Sequence, residues 1–195
     1  MDQKVLCGPS PDGDGRRARR FNEILRHYAG IYEDLERSGA QPYRLTALGA
    51  WATSRASHVF YFFKTIGLAD CANFCDLGSG DGIVTCVAGL FVPAVGIEVD
   101  EHLCRVAQKA ARSLNLQERV ALIRADYLTQ HLSGADCLYI YPDKPFYRLE
   151  ALLLQSGWKG TLLVYGPHLP PHHLKALHRL ECGRERLTVY REGLL

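Results

Sequence analysis

A short apolar run, Asn73 to Leu77, ends in Asp76-Leu77-Gly78-Ser79-Gly80-Asp81-Gly82, and from Ile83 the chain takes on helical spacing. Three glycines at alternate positions allow a sharp turn and a close backbone approach to a ligand where side chains would collide. A second apolar run, Ala94 to Glu98, closes on an acid sixteen residues beyond Gly82. Strand, glycine turn, helix and strand-end acid describe a nucleoside-binding edge of an open α/β sheet, the acid accepting from two ribose hydroxyls.

The spacing narrows the ligand. A dinucleotide site asks for a third small residue at position 83, where this chain has Ile83. Asp76 and Asp81 place two carboxylates on the loop that would have to receive a pyrophosphate. They suit instead a ligand carrying an ammonium and a sulfonium. The expected cofactor is S-adenosyl-L-methionine.

Asp76 to Gly82, Glu98 and the step Ala125-Asp126-Tyr127 resemble the class I S-adenosylmethionine-dependent methyltransferases, and the order of these pieces matches from about Thr53 to Tyr190. The resemblance implies a doubly wound, mostly parallel, seven-stranded α/β sheet of Rossmann-like type. By the same resemblance Asp76 lies near the amino-acid portion of the cofactor, and Gly78, Ser79, Gly80, Asp81 and Gly82 form its loop. Glu98 holds the ribose, Asp126 accepts from the adenine amine, and Val99 or Tyr127 packs on the ring. Asp126 is equally suited to cap a helix. In the family the segment just before such a helix passes over the methionine end of the cofactor, which makes Trp51 and Thr53 pocket candidates; their competing roles are a core indole and a helix cap.

Acceptors in this superfamily are positioned by the segment corresponding to Tyr139–Phe146. Enzymes acting on amide or exocyclic nitrogens carry N-P-P-Y or D-P-P-Y there, whereas this chain has Tyr141-Pro142-Asp143-Lys144-Pro145-Phe146. Tyr141 and Asp143 are the candidates for orienting an acceptor, Asp143 also fitting a turn between two prolines. Asp76 to Val84 and Tyr165-Gly166-Pro167-His168-Leu169-Pro170 resemble small protein-lysine methyltransferases, including those acting on an ATP-synthase ring subunit. The expected acceptor is a protein lysine or a small-molecule nitrogen or oxygen nucleophile. RNA held by Arg16, Arg17, Arg19, Arg20 and Arg26 is one alternative, and a non-catalytic cofactor-binding module is another.

At 195 residues, with 47% hydrophobic and 23% charged, the chain can build one good core. Residues 1–15, with Gly8, Pro9, Pro11, Gly13 and Gly15, read as a flexible tail, 16–50 as a helical extension and 51–195 as the cofactor domain. A net charge of +2 marks no nucleic-acid binder by itself, and the arginine cluster also fits a solvated helix face. No stretch approaches the roughly 20 apolar residues of a membrane span, and no apolar leader follows the first residues, so a cytoplasmic protein is expected. The seven cysteines lack any C-x-x-C pair and read as reduced packing residues. His168, His172, His173 and His178 lack a convergent carboxylate or thiolate set, so no metal is expected and pocket-mouth positions are.

Periodicity predicts the elements. Phe21, Ile24, Leu25, Tyr28, Ile31, Tyr32 and Leu35 form a helical stripe ended by Ser38-Gly39, to be covered by the cofactor domain or by a second copy in a homodimer. A second helix begins at Thr53 or Ser54 and ends at Gly67. Strands are expected at 73–77, 94–98, 120–125, 137–141 and 161–165, with helices at 83–91, after Asp100, and at 146–155. Residues 177–182 and 186–191 read as a closing hairpin, the first member also fitting a helix end.

Overall fold

The structure is a computed structural model, and it describes residues 11–41, 43–46 and 49–192. Its centre is a seven-stranded sheet in the order β5-β4-β3-β6-β7-β9-β8. The strands are β3 (Phe74–Leu77), β4 (Ala94–Glu98), β5 (Val120–Arg124), β6 (Cys137–Ile140), β7 (Thr161–Tyr165), β8 (Leu174–Cys182) and β9 (Glu185–Glu192). β5, β4, β3, β6 and β7 run parallel, while β9 is antiparallel to β7 and β8 to β9. Chain order reverses direction between β3 and β6, so the two halves of the sheet leave a crevice at the carboxyl ends of those strands.

Helices α1 (Pro11–Arg37), α2 (Ala56–Thr65), α3 (Ile83–Ala88), α4 (Glu101–Ser113) and α5 (Tyr147–Gln155) complete the fold. One core cluster packs Phe21, Ile24 and Tyr28 of α1 with Val59, Phe62 and Phe63 of α2, α3, and the sheet residues Phe74, Tyr139 and Tyr165. Phe21 stacks on Phe60 at 4.2 Å, and the Arg17 guanidinium lies 4.5 Å over the Phe91 ring. The apolar stripe of α1 therefore packs on the chain's own α2 and α3 through Phe21, Ile24 and Tyr28, with Leu25, Ile31 and Tyr32 partly buried beside them. The other face of the sheet packs Leu138, Leu162 and Val164 against Leu149, Leu153 and Trp158.

Several boundaries differ from expectation for identifiable reasons. Helix α1 starts at Pro11, inside the expected tail, because proline suits a first helical turn and Asp14 bonds Lys64 at 2.8 Å and Arg17 at 3.4 Å. Residues 1–10 of that tail lie outside the described residues. Neither Thr53 nor Ser54 caps α2; Arg55 occupies the cap position with no side-chain bond, and the Thr53 hydroxyl is engaged by Tyr32 instead. Helix α3 stops at Ala88, short of the expected Phe91, with Gly89 at its carboxyl cap. Pro142 ends β6 at Ile140 and leaves Tyr141 in a loop.

One finding was not foreseen. Within the expected helical extension, β1 (Tyr43–Leu45) and β2 (Ala50–Ala52) form an antiparallel hairpin apart from the main sheet, and residue 51 lies inside it. The closing hairpin is present as expected, but its first strand begins earlier, at Leu174, and pairs with β9 through a bulge between Ala176 and His178.

Candidate active site

A cavity of about 770 Å³ opens at the carboxyl ends of β3, β4, β5 and β6. Five separate stretches reach it: the hairpin with Trp51, the glycine loop, Glu98-Val99, Ala125–Leu128 and Tyr139–Leu149. His168 and Leu169, after β7, close the far end.

The three loop glycines serve three different contacts. A Cβ on Gly78 would meet nothing within 4 Å, so this backbone borders the open cavity. Gly80, at φ +55°, lies under the Trp51 indole, whose Nε1 would sit 2.1 Å from an added Cβ. Gly82 packs on α4, where a Cβ would approach that of Ala107 to 2.6 Å. Gly80 and Gly82 are thus shaped by protein neighbours and do not line the cavity, whereas Gly78, Ser79 and Asp81 do.

Three buried carboxylates surround this loop. Asp76 accepts from the Thr85 hydroxyl at 2.7 Å, and burial beside Glu98 and Asp81 pushes its pKa up to about 7. Burial likewise pushes Asp81 up to about 6, against the opposing effect of a 2.7 Å bond from the Tyr32 hydroxyl. Glu98 accepts the Gly80 N–H on Oε2 at 2.8 Å and the Asp100 N–H on Oε1 at 2.7 Å. It therefore ties the glycine loop to the end of β4 while its carboxylate lines the cavity. The Ser79 hydroxyl lines the same wall and is buried with no partner among the described residues. An orphaned buried hydroxyl costs about 1–3 kcal/mol, which a polar ligand group would recover.

Asp126 caps the turn at Tyr127–Thr129 by accepting from the Leu128 N–H at 2.9 Å, and Asp126, Tyr127 and Val99 all line the cavity. Tyr141 is half-exposed at the mouth, its ring 4.9 Å from that of Tyr165. Asp143 also lines the mouth, but its Oδ2 accepts the Ala50 N–H at 2.7 Å, holding the hairpin across the opening. Arg44 of the hairpin pairs with Asp100 at 3.1 Å on the other side. Thr53 does not line the cavity.

Sequence reasoning gives no site role to Tyr28, Tyr32 or Ser54, and names Tyr139 only as the start of the acceptor segment. Tyr28 and Tyr32 belong to the apolar stripe of α1, and the signal for a polar role is that both members of this i, i+4 pair carry hydroxyls. The Tyr139 hydroxyl is fully buried at the cavity wall beside Ser54, and burial near Asp76 raises its pKa, so it is neutral. Beyond His168 lies a smaller recess of about 190 Å³ bounded by Phe146, Tyr147, Pro170 and His172. Buried Glu150 there accepts the His172 N–H at 3.0 Å and the His173 N–H, fixing the loop backbone. Among the described residues no group of His, Cys, Asp or Glu is arranged to hold a metal ion.

Of the basic cluster, Arg17 donates to the Leu90 carbonyl and Arg20 to the Leu114 carbonyl, so two of the five arginines join α1 to the body of the protein. No helix among the described residues is long and apolar enough to cross a membrane.

No protein-family model matches the chain, and no curated protein does. Solved structures do. An RNA methyltransferase from Salinibacter ruber, in complex with S-adenosyl-L-homocysteine, aligns at TM-score 0.62 and 19% identity over 72% of this chain and 94% of its own. The B. subtilis m1A22 tRNA methyltransferase aligns at 0.54 and 16% identity over 73% of this chain and 67% of its own. Mitomycin 7-O-methyltransferase aligns at 0.58 and 15% identity over 71% of this chain and 54% of its own. The fold is that of the class I methyltransferases. By their names these proteins of one architecture act on different acceptors, so the shared fold by itself assigns none.

Proposed function

We propose that this protein is an S-adenosyl-L-methionine-dependent methyltransferase whose acceptor is an amine or hydroxyl nucleophile of a protein side chain or small molecule. The observation that carries the reading is the cavity wall built from Gly78, the orphaned Ser79 hydroxyl and the buried carboxylates of Asp76, Asp81 and Glu98. Open backbone and negative side chains at a strand-end crevice match a ligand with an ammonium, a sulfonium and a ribose diol. When bound, the cofactor supplies an electrophilic methyl group.

The chain's own residues supply position. Methyl transfer from a sulfonium is an in-line displacement, and alignment at near-contact distance provides most of the acceleration. Tyr139 and Tyr141 offer hydroxyls to an acceptor entering past the mouth, and Asp143 holds the hairpin that shields the crevice from water. Protein lysine is the acceptor class favoured by the likeness of the 165–170 segment. Incubation with radiolabelled S-adenosyl-L-methionine and a cell lysate, sorted into protein, RNA and metabolite fractions, tests this reading. Label in protein or metabolites is expected, and cofactor binding with no label in any fraction would mark a non-catalytic module.

A second reading, RNA methylation, draws support from exposed Tyr43, Tyr141 and Tyr147 around the mouth, which provide stacking faces. Its signature is labelled RNA and a steep loss of binding as salt rises.

A further inference from the structure

Helix α1 reaches the glycine loop through two phenols. Tyr28, fully buried, donates to the Asp81 backbone carbonyl at 2.8 Å. One turn later the Tyr32 hydroxyl lies 2.7 Å from Asp81 Oδ2 and 2.6 Å from Thr53 Oγ1. A phenol has one proton, and the carboxylate can only accept it, so Thr53 donates to the Tyr32 oxygen. Three segments far apart in sequence, α1, the strand exit after Trp51 and the cofactor loop, therefore meet at one oxygen atom.

The consequence falls on Asp81. Its Oδ2 is held by Tyr32, and its Oδ1 has a long bond, 3.3 Å, from the Ile83 N–H. Asp81 lines the cavity, and the residue is only 2% exposed. A buried carboxylate at a cavity wall, braced from behind and underused in front, suits a cation in the cavity.

We propose that α1 is part of the cofactor site: Tyr28, Tyr32 and Thr53 are positioning residues that hold Asp81 as the acceptor for the ammonium group of the bound cofactor. This rests on the methyltransferase reading above. The groups facing Asp81 are Tyr28 and Tyr32 from α1, Cys86 from α3 and Asp76 from β3. Burial raises the pKa of Tyr28, Tyr32 and Cys86, so they stay neutral near pH 7. Asp76 is the other titrating acid. Tyr32 bonds the ionised form of Asp81, so removing that bond moves the protonation of Asp81 to higher pH.

The test is calorimetric titration of the full chain with S-adenosyl-L-homocysteine, which keeps the ammonium, from pH 5 to 8. Wild type is expected to lose affinity as pH falls through about 6. Tyr32→Phe, which deletes the hydroxyl alone, is expected to bind at least tenfold more weakly at pH 7, with its acid limb displaced upward. A folded Tyr32→Phe protein with wild-type affinity and an unmoved pH profile overturns the proposal. If Tyr32→Phe fails to fold by circular dichroism, Thr53→Val, which loosens Tyr32 without touching Asp81, decides on the same two readouts. Absence of binding by wild type sinks the methyltransferase reading itself, an outcome distinct from wild-type binding that the variants leave unchanged.

Discussion

Glu98 offers a way to separate the building of a site from its use. Both of its oxygens accept backbone N–H groups, Gly80 at 2.8 Å and Asp100 at 2.7 Å, and the residue is 5% exposed. In Glu98→Gln the shape is kept, but whichever way the amide turns, its NH₂ faces a backbone donor. One charge-assisted bond worth about 1.5–3 kcal/mol is lost and one buried donor is left unpaired. A destabilisation of about 3 kcal/mol, at about 2–4 °C of Tm per kcal/mol for a chain of this size, lowers the melting point by about 6–12 °C. The assay is thermal unfolding without ligand, followed by titration with S-adenosyl-L-homocysteine. A ligand-free Tm within 1 °C of wild type, together with weakened binding, would refute the claim that this carboxylate organises the loop before any ligand arrives.

The remaining predictions concern neighbouring parts. Gly80→Ala forces its Cβ onto Trp51 and is expected to lower both stability and affinity; adding Trp51→Ala restores part of the stability, and full independence of the two in a double-mutant cycle contradicts the contact. Asp76 and Asp81 have folded-state pKa values raised from 3.8 to about 7 and about 6, so the folded protein holds more protons than the unfolded one across that interval. Ligand-free stability is therefore greatest below pH 4 as far as these two groups are concerned and falls as pH rises to 7. Neutral substitutions Asp76→Asn and Asp81→Asn should flatten that part of a Tm-against-pH curve. Asp143→Asn keeps an oxygen for the Ala50 N–H and is expected to retain methyl transfer, while Asp143→Ala frees the hairpin. Amide hydrogen exchange at Ala50, faster in the alanine variant alone, checks this, and loss of transfer in Asp143→Asn would instead indicate a base.

The sheet was legible because its signals are local. Each central strand is a short apolar run flanked by turn residues, and the glycine loop with Glu98 orders β3 and β4 without tertiary information. What the sequence hid depended on partners distant in the chain. Thr53 reads as a cap until Tyr32, twenty-one residues away, takes its hydroxyl. Asp143 reads as a catalytic or turn residue until the Ala50 N–H, ninety-three residues back, meets its carboxylate. The β1–β2 hairpin has three residues per strand, too short for any period to emerge, and is stabilised by these side-chain ties. Tyrosines in an amphipathic helix count as apolar in periodicity, which masks the polar ends of Tyr28 and Tyr32 even though the two hydroxyls stand at i and i+4.

The chain has two tryptophans, and the fold has separated their surroundings. Trp158 is 4% exposed and donates to the Ala135 carbonyl in the core, whereas Trp51 lies on the cavity wall against Gly80. Their emission should report on different things: one indole glows from a sealed interior, and the other changes colour or brightness when something settles beside it. The molecule thus carries its own optical gauge of occupancy, readable without a label and referenced internally by the second fluorophore.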